Sequence, residues 1–144
     1  MKFIFLTQLF YDDYHDCHEI EQKGTRPYTQ VHITIGDLTF AVPLRSHIDH
    51  PHVLWTNKKE HCGLDFSKAV IILKPGYIDT TRKPYIRKEE FEQLRGKEYI
   101  VKQKLLKYIR AYKAAKARSE IERNATLCKY STMQYFEQYI ASIN

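Results

Sequence analysis

Alternation of apolar and polar residues predicts a β-hairpin in the first third of the chain. Apolar residues stand at every second position of 31–35 and again of 38–42, and Gly36-Asp37 separates the two runs. This period of two is typical of half-buried strands, and a Gly-Asp pair between them indicates a tight turn. Because Pro43 has no N–H to donate to a ladder, we expect the second strand to end there.

The remaining pattern predicts further strands and one helix before residue 80. We expect a first strand over 2–7, a helix over 8–23 and a polar, histidine-rich loop over 49–62 that the apolar residues 53–55 interrupt. Gly63 precedes a third strand signal at 69–73, where a continuous apolar run indicates burial on both faces. Pro75-Gly76 predicts a turn, followed by a short strand at 77–78.

From residue 87 onwards the apolar period lengthens to that of helices. We expect a helical segment that Gly96 breaks, then the longest helix over 97–118, whose apolar face carries Val101, Leu105, Tyr108, Ile109 and Tyr112. Ser131 is a suitable N-cap for a last helix over 132–143. Strands followed by helices predict an α+β fold, and 144 residues predict a single domain over 1–144.

The distribution of positive charge suggests a polyanionic binding partner. The net charge is +6, and residues 99–119 hold seven Lys or Arg and no Asp or Glu. Since like charges on one helix repel each other, RNA phosphates explain this run better than solubility does, although a solvated helix face is the simpler alternative. The cations expected to contact phosphates are Lys104, Lys107, Arg110 and Lys113, together with Lys68 and Lys74.

Cysteine usage and hydropathy limit the cellular setting. Cys17, Cys62 and Cys128 are odd in number and form no CxxC pair, which favours reduced thiols in a cytoplasm. The first ten residues lack the cleavage site of a signal peptide, and no run approaches the roughly 18 apolar residues of a membrane span. We therefore expect a cytoplasmic protein without a membrane partner.

A cluster of chemistry-bearing side chains flanks the predicted hairpin. Its members are Arg26 before the hairpin and Arg45, Ser46, His47, His50 and His52 after it. Antiparallel pairing brings the two ends of a hairpin together. Metal-independent RNA cleavage needs a base for the 2′-OH, an acid for the leaving oxygen and positive groups around the phosphate, which imidazole and guanidinium groups can supply. The cluster contains no paired carboxylates, which a two-metal nuclease would require.

Two other interpretations of the histidines stay open. Histidines in a polar loop are often only solvated, and His32, on the strand face opposite Val31 and Ile33, points either into a site or to solvent. The set His47, His50, His52, His61 and Cys62 also consists of possible zinc ligands, although its spacing fits no closed structural zinc pattern.

Three motifs, in order, resemble one family. RPYTQVHITIGDLTFAVPLRSHIDH, GLDFSKAVII and GKEYIVKQKLLKYIRAYKAA resemble the toxins of type III toxin–antitoxin systems, in the TenpN branch of the ToxN/AbiQ-like group. The resemblance implies a compact, strongly twisted antiparallel sheet like the Kid/MazF barrel-like toxins, flanked by helices. It also implies a bacterial, cofactor-free endoribonuclease that leaves 2′,3′-cyclic phosphate ends. Such a toxin cuts the precursor of its own repeated pseudoknot RNA antitoxin and is inhibited by that RNA in an RNA-mediated hetero-oligomeric assembly.

The resemblance also suggests residue roles. Arg26 stands where the family has a basic active-site residue, and Ser46 matches an active hydroxyl of the family's PL-[ST]-S segment. Arg45 replaces the first hydroxyl, and Ile48 stands where the family has a lysine. We expect Arg26 and Arg45 to stabilise charge and Ser46 to position the phosphate. His47 is then the expected acid or base, and His50 and His52 are candidates for the remaining proton transfer.

We also expect Tyr28, Thr29 and His32 to contact RNA near the entry of the hairpin. The chief rival to an enzyme is a non-catalytic RNA-binding module, which would keep the basic helix but would need no histidine cluster.

Overall fold

The computed structural model of the chain describes residues 1–20 and 28–144. In these ranges the strands are β1 (Lys2–Ile4), β2 (Gln30–Ile35), β3 (Leu38–Arg45), β4 (Val53–Asn57), β5 (Cys62–Asp65) and β6 (Val70–Ile71). The helices are α1 (Gln8–Asp13), α2 (Lys88–Leu94), α3 (Glu98–Ala117), α4 (Glu122–Tyr130) and α5 (Glu137–Ile140). Short 3-10 turns lie at Phe66–Lys68, Pro75–Tyr77 and Thr132–Tyr135.

The strands form an open antiparallel sheet. Their order is β1-β2-β3-β5-β4, and β6 pairs with β3 beside the β5 contact. The predicted α+β class is confirmed. Within the described residues the pairing does not close β4 onto β1, so the pairing does not show the barrel-like core that the resemblance implied.

The first hairpin is confirmed, but its second strand is longer than predicted. Val31 pairs with Val42 and Ile33 with Phe40, and Gly36 turns with a φ of 59°. β3 passes through Pro43 because Leu44 donates its N–H to Thr29 on the β2 side, so the nitrogen of Pro43 faces the other side. On that side, the pairing of β3 with β6 stops at Ala41 and its pairing with β5 starts at Leu44, so no ladder bond is lost at Pro43.

A second hairpin, β4–β5, occupies most of the region predicted as a loop. The interruption at 53–55 belongs to β4, and Gly63 lies inside β5 rather than before a strand. A Cβ at Gly63 would lie 2.4 Å from the backbone oxygen of Leu54, so the two strands approach closely only because residue 63 is glycine. The run at 69–73 is buried as predicted at Ala69, Val70 and Ile71, but only Val70–Ile71 forms a strand.

The early elements are shorter than predicted. β1 ends at Ile4, and Leu6 adds an isolated bridge to Ile78 in place of a strand at 77–78. α1 ends at Asp13 because Tyr14 leaves the helical conformation and its ring packs between those of Phe10 and Phe136. The predicted remainder of that helix at 21–23 lies outside the described residues.

The helical half follows the prediction most closely in α3. The residues of its predicted apolar face are buried, and Gly96, with a φ of 74°, separates it from α2. Ser131 does cap, since its Oγ accepts the N–H of Met133 at 3.1 Å, but it caps a 3-10 turn that precedes the short α5. α4 was not predicted, since none of its residues is buried and no apolar stripe marks it.

The core lies around β3 and α3. Phe40, Ala41 and Val42 are each fully buried, so both faces of β3 are covered. α3 packs against β2 and against the turn after β5, which places its exposed edge beside the loop that carries the histidines. Within the described residues no helix has both the length and the apolar character that crossing a bilayer requires.

Candidate active site

Two adjoining cavities form a groove along the exposed edge of α3. The larger, of about 770 Å³, lies between α3, α4 and the loop before β4; the smaller, of about 280 Å³, lies between α3, β4 and the turn after β5. His52, Tyr108 and Ala111 line both. We call this continuous surface the α3 groove. Together the two cavities form a concave surface large enough to hold a ligand.

A buried carboxylate organises the wall of the groove. Asp65 ends β5, and its side chain is fully buried. Its Oδ1 accepts the backbone N–H of Ser67 at 3.0 Å and the hydroxyl of Ser67 at 2.6 Å, and so caps the turn Phe66–Lys68. The turn is thereby fixed next to α3.

The same carboxylate holds two predicted site residues. Arg45 donates to Oδ2 from β3, and Nε2 of His50 lies 3.0 Å from Oδ1. Burial by itself would raise the pKa of Asp65, but the interaction with His50, the Ser67 hydrogen bond and the charge of Arg45 outweigh burial and lower it. Asp65 is therefore an ionised anchor, and the guanidinium of Arg45 is committed to it.

His50 uses both ring nitrogens inside the protein. Its Nδ1 accepts the backbone N–H of His52 at 3.1 Å, so Nε2 carries the proton and points it at Asp65 and at the Ser67 hydroxyl, 3.1 Å away. Both ring nitrogens of His50 thus have partners within the protein, and its Nδ1 holds the backbone N–H of His52.

His52 is the imidazole that faces the groove. Its ring packs edge-on against Tyr108 at 5.2 Å and lies 5.7 Å from that of His50, and no hydrogen bond within the described residues reaches either of its ring nitrogens. Partial burial and, second, the neighbouring His50 lower the pKa of His52, while Asp65 acts in the opposite sense. A neutral imidazole with an unused nitrogen is chemically a proton acceptor.

The cations of α3 divide between the groove and the chain terminus. Lys104 and Lys107 line the smaller cavity, whereas Arg110 and Lys113 donate to backbone oxygens of 141–144. Arg118 and Arg123 line the larger cavity, together with the acidic Asp49. Helical geometry explains the division, because 104, 107 and 118 share one face and 110 and 113 lie on another.

The other predicted RNA-binding residues are dispersed. Lys74 forms an ion pair with Asp13 at 3.3 Å, away from the groove, and Lys68 donates to the backbone of Tyr130 at the groove's edge. Thr29 donates to the carbonyl of Tyr85 at 2.7 Å. His32 is half-buried between Lys2 and Ala41 on neighbouring strands, where burial and Lys2 lower its pKa. None of these residues but Lys68 adjoins the groove, and Tyr28 does not line it.

Ser46 and His47 do not line either cavity. Both are exposed in the bend after β3, where His47 has a φ of 57°. The arrangement therefore brings together Arg45, His50 and His52 but not Ser46 or His47. Arg26 belongs to residues 21–27, outside the described part of the chain, and its role stays a prediction.

Among the residues of the site that sequence reasoning missed are Asp65, Ser67, Tyr108 and Ala111. Asp65 carries a local signal, because aspartate is a preferred N-cap that accepts the backbone N–H two positions later, here that of Ser67. Tyr108 and Ala111 carry none, since a tyrosine and an alanine on an amphipathic helix are indistinguishable from ordinary packing residues.

The described residues hold no group of three or more His, Cys, Asp or Glu side chains arranged to bind a metal ion. His61, one of the possible zinc ligands, instead directs Nδ1 to the carbonyl of Ile48 at 2.9 Å and packs against Trp55. The zinc interpretation is thus without geometric support in these ranges.

Comparisons with protein-family models, with curated proteins and with solved structures found nothing that matches this chain.

Proposed function

We propose that the protein is a metal-independent endoribonuclease whose RNA substrate lies in the α3 groove. The observation that carries the proposal is His52, a half-buried imidazole with a lowered pKa and unbonded ring nitrogens. It stands between the cationic side chains of α3 and a cavity large enough for a nucleotide.

In the proposed reaction His52 takes the proton of the ribose 2′-OH, whose oxygen attacks the adjacent phosphorus. The bond from phosphorus to the 5′ oxygen breaks, this oxygen takes a proton from solvent water, and a 2′,3′-cyclic phosphate remains. Lys104 and Lys107 supply positive charge to the phosphorane oxygens, where developing negative charge is best stabilised by preplaced donors. Asp65, through His50, holds the backbone of His52 in place.

This mechanism redistributes the roles suggested by the sequence. The proton-transfer role passes from His47 to His52, and Arg45 becomes a positioning residue because Asp65 holds it. The narrower proposal, a bacterial cytoplasmic type III toxin with a Kid/MazF-like core and an inhibitory pseudoknot RNA, is supported by the sequence motifs that resemble that family.

The proposal is tested by incubating the purified protein with RNA in EDTA and analysing the product ends by mass. We expect 2′,3′-cyclic phosphate ends, and we expect His52→Ala to slow cleavage about 100-fold or more, the usual contribution of a general base. The wild-type rate should rise with pH through an apparent pKa below 6.5, and His52→Ala should lose this limb.

The matched control is His15→Ala, because His15 is exposed on the segment after α1 and does not line the groove. It should cleave as the wild type does. Cleavage that stops in EDTA, or a His52→Ala variant with the wild-type rate, would contradict the proposal. If His47→Ala were the inactive variant, the acid–base site would lie in the bend after β3.

One observation favours a second candidate, a non-catalytic RNA-binding module. Since His50 uses both ring nitrogens internally, the described residues of the groove offer a single unbonded imidazole and no second histidine to protonate the leaving oxygen. A module of this kind would bind RNA with wild-type and His52→Ala proteins alike and would produce no new RNA ends in either.

A further inference from the structure

We propose that the larger cavity of the α3 groove binds the base of the nucleotide whose 2′-OH attacks, so that the protein selects the nucleotide on the 5′ side of the cut. The inference rests on the proposed function and adds to it a substrate subsite with a defined direction of the RNA strand.

The first support is the shape of the cavity. Ala111, Ala114 and Ala115 form much of its α3 wall, and their small methyl groups leave space that longer side chains would fill. Ile121 and Leu127 face it from the α4 side. A flat ring with two apolar faces fits a cleft of this kind, and the cavity volume lies in the range that ligand pockets have.

The second support is the set of polar groups at the rim. Asn124 donates its side-chain N–H to the carbonyl of Arg118 at 2.9 Å, which leaves its Oδ1 as an acceptor for the N–H groups on the edge of a base. Tyr130, 56% exposed, offers an aromatic face on which a base can stack. An aliphatic ligand would use neither group.

The third support is the order of the groups along the groove. His52 lines both cavities: the larger has the apolar α3 and α4 walls, with Arg118 and Arg123 also among its lining residues, and the smaller has Lys104 and Lys107. In a ribonucleotide the ribose joins the base to the 3′-phosphate, so the 2′-OH also lies between an apolar ring and an anion. If the nucleotide lies along the groove with its 2′-OH at His52, its base lies in the larger cavity and its 3′-phosphate lies at Lys104 and Lys107.

The direct test measures binding of the four nucleoside 3′-monophosphates and of inorganic phosphate by titration calorimetry. At least one nucleotide should bind about tenfold tighter than phosphate or better, as stacking of a single base provides. Ala114→Phe fills the cavity from α3 and should remove this gain without weakening phosphate binding. Thr126→Phe, an exposed change on α4, should do the same.

Ala117→Phe is the matched control, because it makes the same change on α3 at an exposed position that does not line the cavity. It should keep the gain. Nucleotides that bind no tighter than phosphate, or a gain that survives both Ala114→Phe and Thr126→Phe, would overturn the subsite.

Cleavage of RNA separates this inference from the proposed function. Wild-type protein should prefer one base on the 5′ side of the cut, and Ala114→Phe should flatten that preference. His52-dependent cleavage with no such preference would overturn the subsite and leave the nuclease standing. Selective nucleotide binding that Ala114→Phe abolishes, in a protein that never cuts RNA, would support the subsite and refute the nuclease.

Discussion

At the scale of single residues, the site depends on a side chain that is fully buried beneath it. Asp65 accepts hydrogen bonds from β3, from the loop before β4 and from the turn after β5, so one carboxylate joins three separate segments. Asp65 holds the ring of His50 in the loop before β4, and Nδ1 of His50 accepts the backbone N–H of His52. The proton acceptor proposed for the reaction is therefore placed by a group two contacts away.

Asp65→Asn should destabilise the fold and change its response to acid. Removing one partner of a buried ion pair leaves Arg45 uncompensated, at a cost of about 3 kcal/mol. Because the folded-state pKa of Asp65 lies below its usual 3.8, its stabilisation is complete above about pH 4 and is lost as the pH falls through the lower, folded-state value. Urea unfolding at pH 7 and pH 3 measures both effects.

The wild type should thus lose more stability than Asp65→Asn between these two pH values. Asp16→Asn is the control, since the Asp16 side chain is 88% exposed and contacts only the exposed ring of His15 among the ion pairs of the described residues. Equal pH responses of wild type and Asp65→Asn would show that the buried pair does not couple folding to this carboxylate.

At the scale of elements, the β4–β5 hairpin carries the site. The loop with His50 and His52 leads directly into β4, and Asp65 is the last residue of β5. The pairing of Val53 with Asp65 therefore sets the distance between the histidine loop and the carboxylate. This hairpin replaces the loop predicted over 49–62, and it depends on the close approach of the two strands at Gly63. A change there should be transmitted to the groove.

Gly63→Ala should destabilise the protein by about 1–3 kcal/mol, as overpacking typically does. The added methyl would lie 2.4 Å from the oxygen of Leu54 and 2.8 Å from Cγ1 of Val53, and a backbone oxygen cannot rotate away. Gly76→Ala is the matched control, because its methyl would meet only the flexible end of Leu9 at 3.4 Å. Denaturant unfolding compares the two, and equal stabilities would refute the tight β4–β5 approach.

At the scale of the whole molecule, the net charge of +6 matters less than where the cationic side chains lie on the surface. Lys104 and Lys107 line the groove, whereas Arg110 and Lys113 are bound to the carbonyls of the chain's last residues. The four cations predicted together from one helix thus belong to two different faces. If RNA binds in the groove, only Lys104 and Lys107 should contribute fully to the salt dependence of RNA binding.

Lys107→Ala should lower the salt slope of RNA binding by about 0.7, the value per neutralised phosphate of a single strand. Arg110→Ala should leave the slope near that of the parent, because Arg110 already donates to the oxygen of Asn144. Fluorescence anisotropy with labelled RNA, in a His52→Ala background that prevents cutting, gives both slopes across roughly 50 to 200 mM salt. A larger loss from Arg110→Ala would move the RNA to the other face of α3.

The sequence by itself determined the elements whose pattern is local. The first hairpin and the buried face of α3 follow from periods of two and of 3.6, because each residue's burial there depends on neighbours within a few positions. The break at Gly96 and the concentration of histidines after β3 were also predictable, since both are properties of short segments. These features were enough to predict an α+β chain with a basic helix and a histidine site.

Only the tertiary structure decided which of those residues lie together along the α3 groove. His52 meets Tyr108 across 56 positions of the sequence, and Arg45 meets Asp65 across 20. No local periodicity records such contacts, because they arise when separate segments bury their apolar faces and must satisfy their polar groups together. For the same reason the structure decided that Pro43 lies inside a strand, that 53–57 pairs with 62–65, and that Lys107 but not Arg110 lines the groove.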